Sequence, residues 1–222
     1  MLRSSFFALL ALSLMSATAM AELPSNGYIG VFGDAAGTDC CVTLNAAGNG
    51  KLSVFMVTGG ATSAGITGAE FKVTIEPAAP DAVVHWSPAP GATVSVGNPI
   101  DNGSGGGNLV TFKSCQSQTG LAGDKVKLGS LHVINLTGEH KLVVRKHDAP
   151  INSAFNCPSV LLCDGPVFTQ VCLTLKDGDP ALGGEEAAAF VSAVNSPDCA
   201  GTSCGFVATE EKTWTSVKGL FR

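Results

Sequence analysis

The sequence predicts an all-β fold, an antiparallel β-sandwich with a small cysteine-rich C-terminal extension. Three observations carry this reading. Short apolar segments with a period of two recur along the chain, with turn-forming residues about every 8 to 15 positions. The 222 residues include 27 Gly and 11 Pro but only 14% charged residues, a mix that suits short strands and tight turns. Between successive strands the pattern shows none of the helices that a parallel α/β sheet requires.

The elements follow in order. Ile29–Phe32 reads as a short strand and Asp34–Cys41 as a loop. In Lys51–Thr58, Leu52, Val54, Met56 and Thr58 fall opposite Ser53, Phe55 and Val57. Both faces are partly apolar, which places this strand centrally in its sheet. Ala69–Glu76 reads as a half-buried strand, because Phe71, Val73 and Ile75 alternate with Lys72, Thr74 and Glu76. Pro77 and Pro80 end its pairing. Val83–Trp86 is a short strand that stops before Pro88. Asn102–Asn108 (NGSGGGN) is a flexible turn, and Leu109–Lys113 a strand. Lys127–Thr137 and His140–His147 are predicted to form a hairpin around Gly138-Glu139. Phe168–Leu175 alternates as a strand. In Pro180–Val194, Asp179-Pro180 suits a helix start but Gly183-Gly184 weakens its first turn, and Ala188–Val194 suits a strand equally well. No internal repeat or heptad is present.

Residues 1–21 carry the marks of an export signal: Arg3, the apolar run Phe6–Met15, and the small-residue site Ala19-Met20-Ala21. Removing them leaves 222 − 21 = 201 residues with a net charge of 12 − 18 = −6. The predicted division is a signal over 1–21, a sandwich over 22–150, and a cysteine-rich extension over 151–222 that packs on the sandwich or completes it. No basic run is present to displace counterions, so nucleic acid is not an expected partner. After the leader no apolar stretch approaches the roughly 18 residues of a membrane span. Glu22, not a cysteine, follows the cleavage site, so no lipid anchor is expected. The expected location is secreted or at the cell surface, with the periplasm as an alternative.

Two resemblances follow from particular residues. Thr67–Pro77 (TGAEFKVTIEP), Leu109–Lys113 and Leu121–Leu131 (LAGDKVKLGSL) resemble consecutive strands of a cohesin-type β-sandwich, an Ig-like or jelly-roll architecture, over about Lys51–Lys146. Ile75-Glu76 stand where that family has Tyr-Asp before the proline. The resemblance implies a carbohydrate-binding or adhesion type of module. Ile29–Asp34, Ala36–Cys40, Phe155–Pro158, Leu162–Pro166, Val171-Cys172 and Thr213–Arg222 are similar to segments of secreted bacterial β-sandwich proteins with cysteine-rich C-terminal ends. That group implies a fold class and no particular chemistry.

Candidate residues come from few sources. Cys40, Cys41, Cys115, Cys157, Cys163, Cys172, Cys199 and Cys204 are an even set behind an export signal, which points to structural disulfides. Cys157, Cys163 and Cys172 crowd one segment and predict a local bridge there, while Cys199 and Cys204 suit a small closed loop. Adjacent Cys40 and Cys41 suit separate partners, with Cys115 a candidate for one of them. The paired C-x2-C spacing of a zinc site is absent.

His85, His132, His140 and His147 read as exposed strand residues. His132 and His140 are predicted to face each other across the hairpin, with no third ligand beside them. Asp177-Gly178-Asp179 resembles a calcium loop, but Ala181 at its fifth position makes it a turn. No cofactor is expected, with a structural calcium on Asp34, Asp39, Asp101 or Asp124 left open.

The G-x-S-x-G and H-E-x-x-H patterns of hydrolases are missing. Glu70 and Glu139 would make a glycosidase pair only if the fold joined them, and a solvated strand face accounts for both. Trp86 and Tyr28 are the candidate ligand-face residues, the alternative for Trp86 being a core position at a sheet end. Trp214 and Phe221, with Val217 and Leu220, give the tail an apolar stripe if helical. That stripe suits docking on the sandwich or recognition for export or anchoring. Asn102-Gly-Ser104 and Asn135-Leu-Thr137 match the glycosylation sequon.

The expected function is a non-catalytic binding or adhesion module. Its expected partner is an extracellular protein, a polysaccharide or a second copy. A structural subunit of a secreted assembly is the alternative, and a hydrolase ranks last.

Overall fold

The computed structural model describes residues 26–101, 106–117, 125–150, 157–163, 169–173, 189–196 and 205–207. The predicted export signal, Asp124, the Asp177–Asp179 motif, Cys199, Cys204, Trp214 and Phe221 lie outside the described residues. The first half contributes β1 (Gly27–Phe32), β2 (Cys41–Val42), β3 (Gly50–Thr58), β4 (Ile66–Glu76), β5 (Val83–Pro88) and β6 (Ala92–Asn98). Then come β7 (Ile100–Asp101), β8 (Gly107–Gln116), β9 (Lys125–Ile134) and β10 (His140–Arg145). The last strands are β11 (Ser159–Leu162), β12 (Gln170–Cys172), β13 (Ala189–Val194) and β14 (Gly205–Val207). Among the described residues the only helical turn is a 3-10 turn at Gly60–Ala64.

These strands build an all-β sandwich. One sheet has four strands in the order β1-β3-β9-β5. The other has ten, along β12-β11-β4-β10-β13-β14, with β8 and β7 also on β4, β6 on β8 and β2 on β13. Pairing is antiparallel except for β4–β7 and β13–β2, which are parallel. The core lies between the sheets, where Leu52, Val54, Met56, Leu131 and Val133 of the first meet Phe71, Val73, Val110, Leu142 and Val144 of the second.

β3 sits between β1 and β9, as its two apolar faces predict. Its outer side is covered too, with Phe55 2% exposed beneath the 33–39 loop, where Gly37 packs on its ring. β4 departs from its prediction. Its alternation promises one wet face, yet Glu70 is 3% and Lys72 9% exposed. Lys72 Nζ donates to Asp101 at 2.9 Å and to Asp148 at 2.5 Å, and Gln170 donates to Glu70 at 3.1 Å. Charges on a strand report solvent only where nothing arrives to pair with them.

The predicted hairpin of Lys127–Thr137 with His140–His147 does not form. β9 pairs with β3 and β5, whereas β10 pairs with β4 and β13, in the other sheet. The cause lies in the connection. Leu136 is fully buried and its amide donates to the Gly48 carbonyl at 3.0 Å, which draws the chain across the core. His132 and His140 therefore do not face each other.

β8 extends well beyond the predicted Leu109–Lys113, and β6 has no counterpart in the sequence reading. β11 lies on β4 and β13 on β10, so described strands of the 151–222 segment belong to the same sheet as β4.

Disulfides join Cys115 to Cys163, with Cα atoms 5.5 Å apart, and Cys157 to Cys172, at 5.7 Å. The second is the expected local bridge. The first corrects the suggestion that Cys115 partners Cys40 or Cys41. Because β8 and β11 flank the same stretch of β4, Cys115 at the end of β8 comes beside Cys163. Cys40 and Cys41 are both disulfide-bonded, and no described cysteine is free.

Candidate functional site

Among the described residues, β5 and β6 are consecutive strands at the edges of the two sheets. β5 is the last strand of the four-stranded sheet and β6 the outermost strand beyond β8. A tight turn joins them, closed by the Ala92 amide on the Ala89 carbonyl at 3.1 Å. Thus the chain leaves one sheet edge and becomes the adjacent edge of the other.

Trp86 fills the gap between these edges. Its ring packs edge-on against Phe71, with centroids 5.9 Å apart, and lies over Gly129, where any side chain would collide with it. Its Nε1 donates to Ser95 Oγ at 3.0 Å, and Ser95 Oγ lies 3.0 Å from the Asn108 side-chain amide. The inward side of β6 is thereby tied down. Its outward side carries Val94 at 45% and Val96 at 60% exposure. No residue of Ala92–Asn98 is charged, and among the described residues β6 pairs with β8 alone.

Tyr28 and Trp86 do not share a face. Tyr28 is on β1, at the opposite edge of the four-stranded sheet. It pairs with Val57, whose neighbour Met56 points into the core, so alternation turns Tyr28 outward, whereas Trp86 pairs with buried Leu131 and packs on the core. Burial raises the Tyr28 phenol pKa above its usual value.

The described loop carboxylates considered for calcium, Asp34, Asp39 and Asp101, each accept hydrogen bonds from the protein. Asp34 accepts the Thr38 amide at 2.8 Å, the Thr38 hydroxyl at 2.6 Å and the Asp39 amide at 3.0 Å. Partial burial opposes its ionisation, but these bonds prevail and bring its pKa down to about 2. Asp39 accepts the Cys41 amide at 2.9 Å, and Asp101 accepts Lys72. Burial works against the Lys72 charge, yet Asp148 and Asp101 outweigh it and raise its pKa. The hydrogen bond from Lys72 in turn lowers that of Asp148. Among the described residues no cluster of three or more His, Cys, Asp or Glu side chains could hold a metal ion.

Glu70 and Glu139 are far apart. Lys141 pairs with Glu76, so Glu139 falls about eight residues along β4 from Glu70, roughly 25 Å. Glycosidase carboxylates stand within about 5 to 10 Å. A surface bowl of about 190 Å³ is lined by Pro80, Asp81, Asn135, Thr137 and His140. There the His140 ring is fixed between the Pro77 and Thr137 carbonyls at 3.0 and 2.9 Å.

Sequence reasoning missed the β6 edge. Its signal was the alternation of Val94 and Val96 with Thr93, Ser95 and Gly97, which reads as a strand once the turn at Pro90-Gly91 is placed. It also missed that His85 lies directly across from His132. No described helix is long and apolar enough to cross a membrane. Compared with known proteins, the chain matches no family model and no curated sequence.

Proposed function

We propose that this is an exported, non-catalytic binding or adhesion module that docks a strand of an extracellular protein along β6. The observation that supports this is the character of that edge: uncharged, β-branched, exposed at Val94 and Val96, and hydrogen-bonded from behind, through Ser95, to Trp86 and Asn108. Edge strands in soluble proteins are commonly guarded by lysine, proline or a covering loop. Between Ala92 and Asn98 there is neither lysine nor proline. Strand addition gives affinity through the main chain and specificity through alternate side chains. A protein partner is favoured over a polysaccharide because the Trp86 ring is engaged with Phe71 and Ser95 and does not offer a free stacking platform.

A second reading, a subunit of a secreted assembly, is favoured by one feature. Val94-Ser95-Val96 is symmetric about Ser95, so two copies paired antiparallel set each valine against a valine of the other. Sedimentation velocity over a range of concentrations, with the wild type and V94K/V96K, separates the two. A dimer that the substitutions abolish supports the assembly. A wild-type monomer that retains a secreted protein of its own culture, again lost in V94K/V96K, supports the module once the purified partner reproduces the binding. A monomer that retains nothing, or retention unaffected by the substitutions, removes the β6 surface.

A further inference from the structure

We propose that His85 and His132 form a two-imidazole site for a divalent transition-metal ion, Cu(II) in preference to Ni(II) or Zn(II), on the outer face of the four-stranded sheet. The register sets His85 of β5 directly opposite His132 of β9. Alternation fixes the face. Val84, Trp86, Leu131 and Val133 point inward, so both histidines point outward beside the exposed Val83 and Ile134. Directly opposed residues of an antiparallel pair hold their Cβ atoms about 4.5 to 5.5 Å apart. From that spacing two rings can converge on one ion at about 2.0 to 2.1 Å per nitrogen.

The four histidines differ in what their nitrogens do. Both nitrogens of His140 face carbonyl oxygens, and Nδ1 of His147 accepts the Ala149 amide at 2.9 Å. Among the described residues the rings of His85 and His132 make no hydrogen bond or ion pair, which leaves their lone pairs open to a ligand. Their backbones belong to paired strands, so the sheet prepays the cost of bringing the rings together.

Imidazole suits copper, nickel and zinc, and for a nitrogen site the affinity order peaks at Cu(II). Water, or a donor from a bound partner, would complete the coordination. Lys51 lies across from His132 on β3, on the side away from His85, and its exposed stem lets the ammonium turn to solvent. The pairing is independent of β6, so the docking reading can fail without affecting it.

The test is titration of the mature chain, made without a polyhistidine tag, with copper sulfate. Calorimetry and electron paramagnetic resonance are the readouts. The expected result is one Cu(II) per chain with hyperfine coupling to two imidazole nitrogens. The second imidazole binds intramolecularly, so His85→Ala or His132→Ala lowers the affinity at least about tenfold. His85→Gln does the same while keeping a polar side chain, and His140→Ala changes nothing. Circular dichroism confirms that each variant is folded. Three results would overturn the site: no copper uptake, a spectrum without two imidazole nitrogens, or wild-type affinity in H85A/H132A.

Discussion

β4 and β6 belong to the same sheet and reverse the usual association of charge with solvent. β4 carries Glu70, Lys72 and Glu76, yet its first two charges are buried and it pairs with strands on both sides. β6 carries no charge and stands at the edge with its valines in water. The difference teaches that a strand's exposure is set by what later segments bring to it. β4 is covered because Asp101, Asp148, Ser159 and Gln170 arrive from segments distant in sequence. β6 receives nothing of the kind among the described residues.

The largest expected effect comes from the bridges that hold the cover over β4. Cys115 and Cys163 are 48 residues apart, Cys157 and Cys172 only 15. Loop-closure entropy then predicts losses of about 4 kcal/mol for C115A/C163A and about 3 kcal/mol for C157A/C172A. Urea unfolding measures both. Equal or reversed losses would mean that the bridges act by something other than restraining the unfolded chain.

Next is the buried cation. Lys72→Ala removes the cation that Asp101 and Asp148 share, at an expected cost of about 3 kcal/mol. Asp148→Asn is milder, about 1 kcal/mol or less, because the Asp148 side chain is 39% exposed and solvent screens it. If the two substitutions cost the same, Lys72 is not the centre of the cluster, and β4 loses its distinction from an exposed strand.

Much of this architecture is legible in the sequence, and most of the failures share one cause. The central position of β3 follows from its two apolar faces, and the Cys157–Cys172 bridge from local crowding. Patterns within one segment carry both. The cover over Lys72, the partner of Cys115 and the pairing of His85 with His132 depend on register between segments, which a single sequence does not encode locally. The false hairpin arose in the same way. Gly138-Glu139 has turn chemistry, but buried Leu136 outweighs it and sends β10 to the other sheet. β6 was missed because its apolar residues face water, so the hydrophobic pattern carries no core signal there.

A smaller effect is expected in acid. The Asp34 pKa falls from 3.8 to about 2 on folding, so between these values the unfolded chain binds more protons than the folded one. Its contribution is fully present above about pH 4 and is lost as the pH falls toward 2. Asp148 and Glu76, also lowered, act in the same direction. Lys72, raised above 10.5, opposes them only at the alkaline end, where its contribution is lost as the pH rises through its folded value. Asp34→Asn keeps the shape of the loop and removes one titrating group. Stability measured in urea at pH 5, 3 and 2 should fall less steeply for this variant than for the wild type. An unchanged slope would show that the Asp34 bonds do not persist in solution.

The smallest expected effect on stability is at β6 itself. Val94 and Val96 point outward, and the contacts that hold the strand come from Ser95, Asn108 and the ladder with β8. Two lysines in their place meet only solvent, so V94K/V96K should unfold within about 0.5 kcal/mol of the wild type. The same substitution on β4 would be ruinous, because Val73 is fully buried. A loss well above 1 kcal/mol at β6 would mean that the valines are covered by another part of the chain. β6 would then be a second closed strand, and the docking surface would have to be sought elsewhere. A neutral result together with lost association would show that these valines serve contact with another molecule and not the fold.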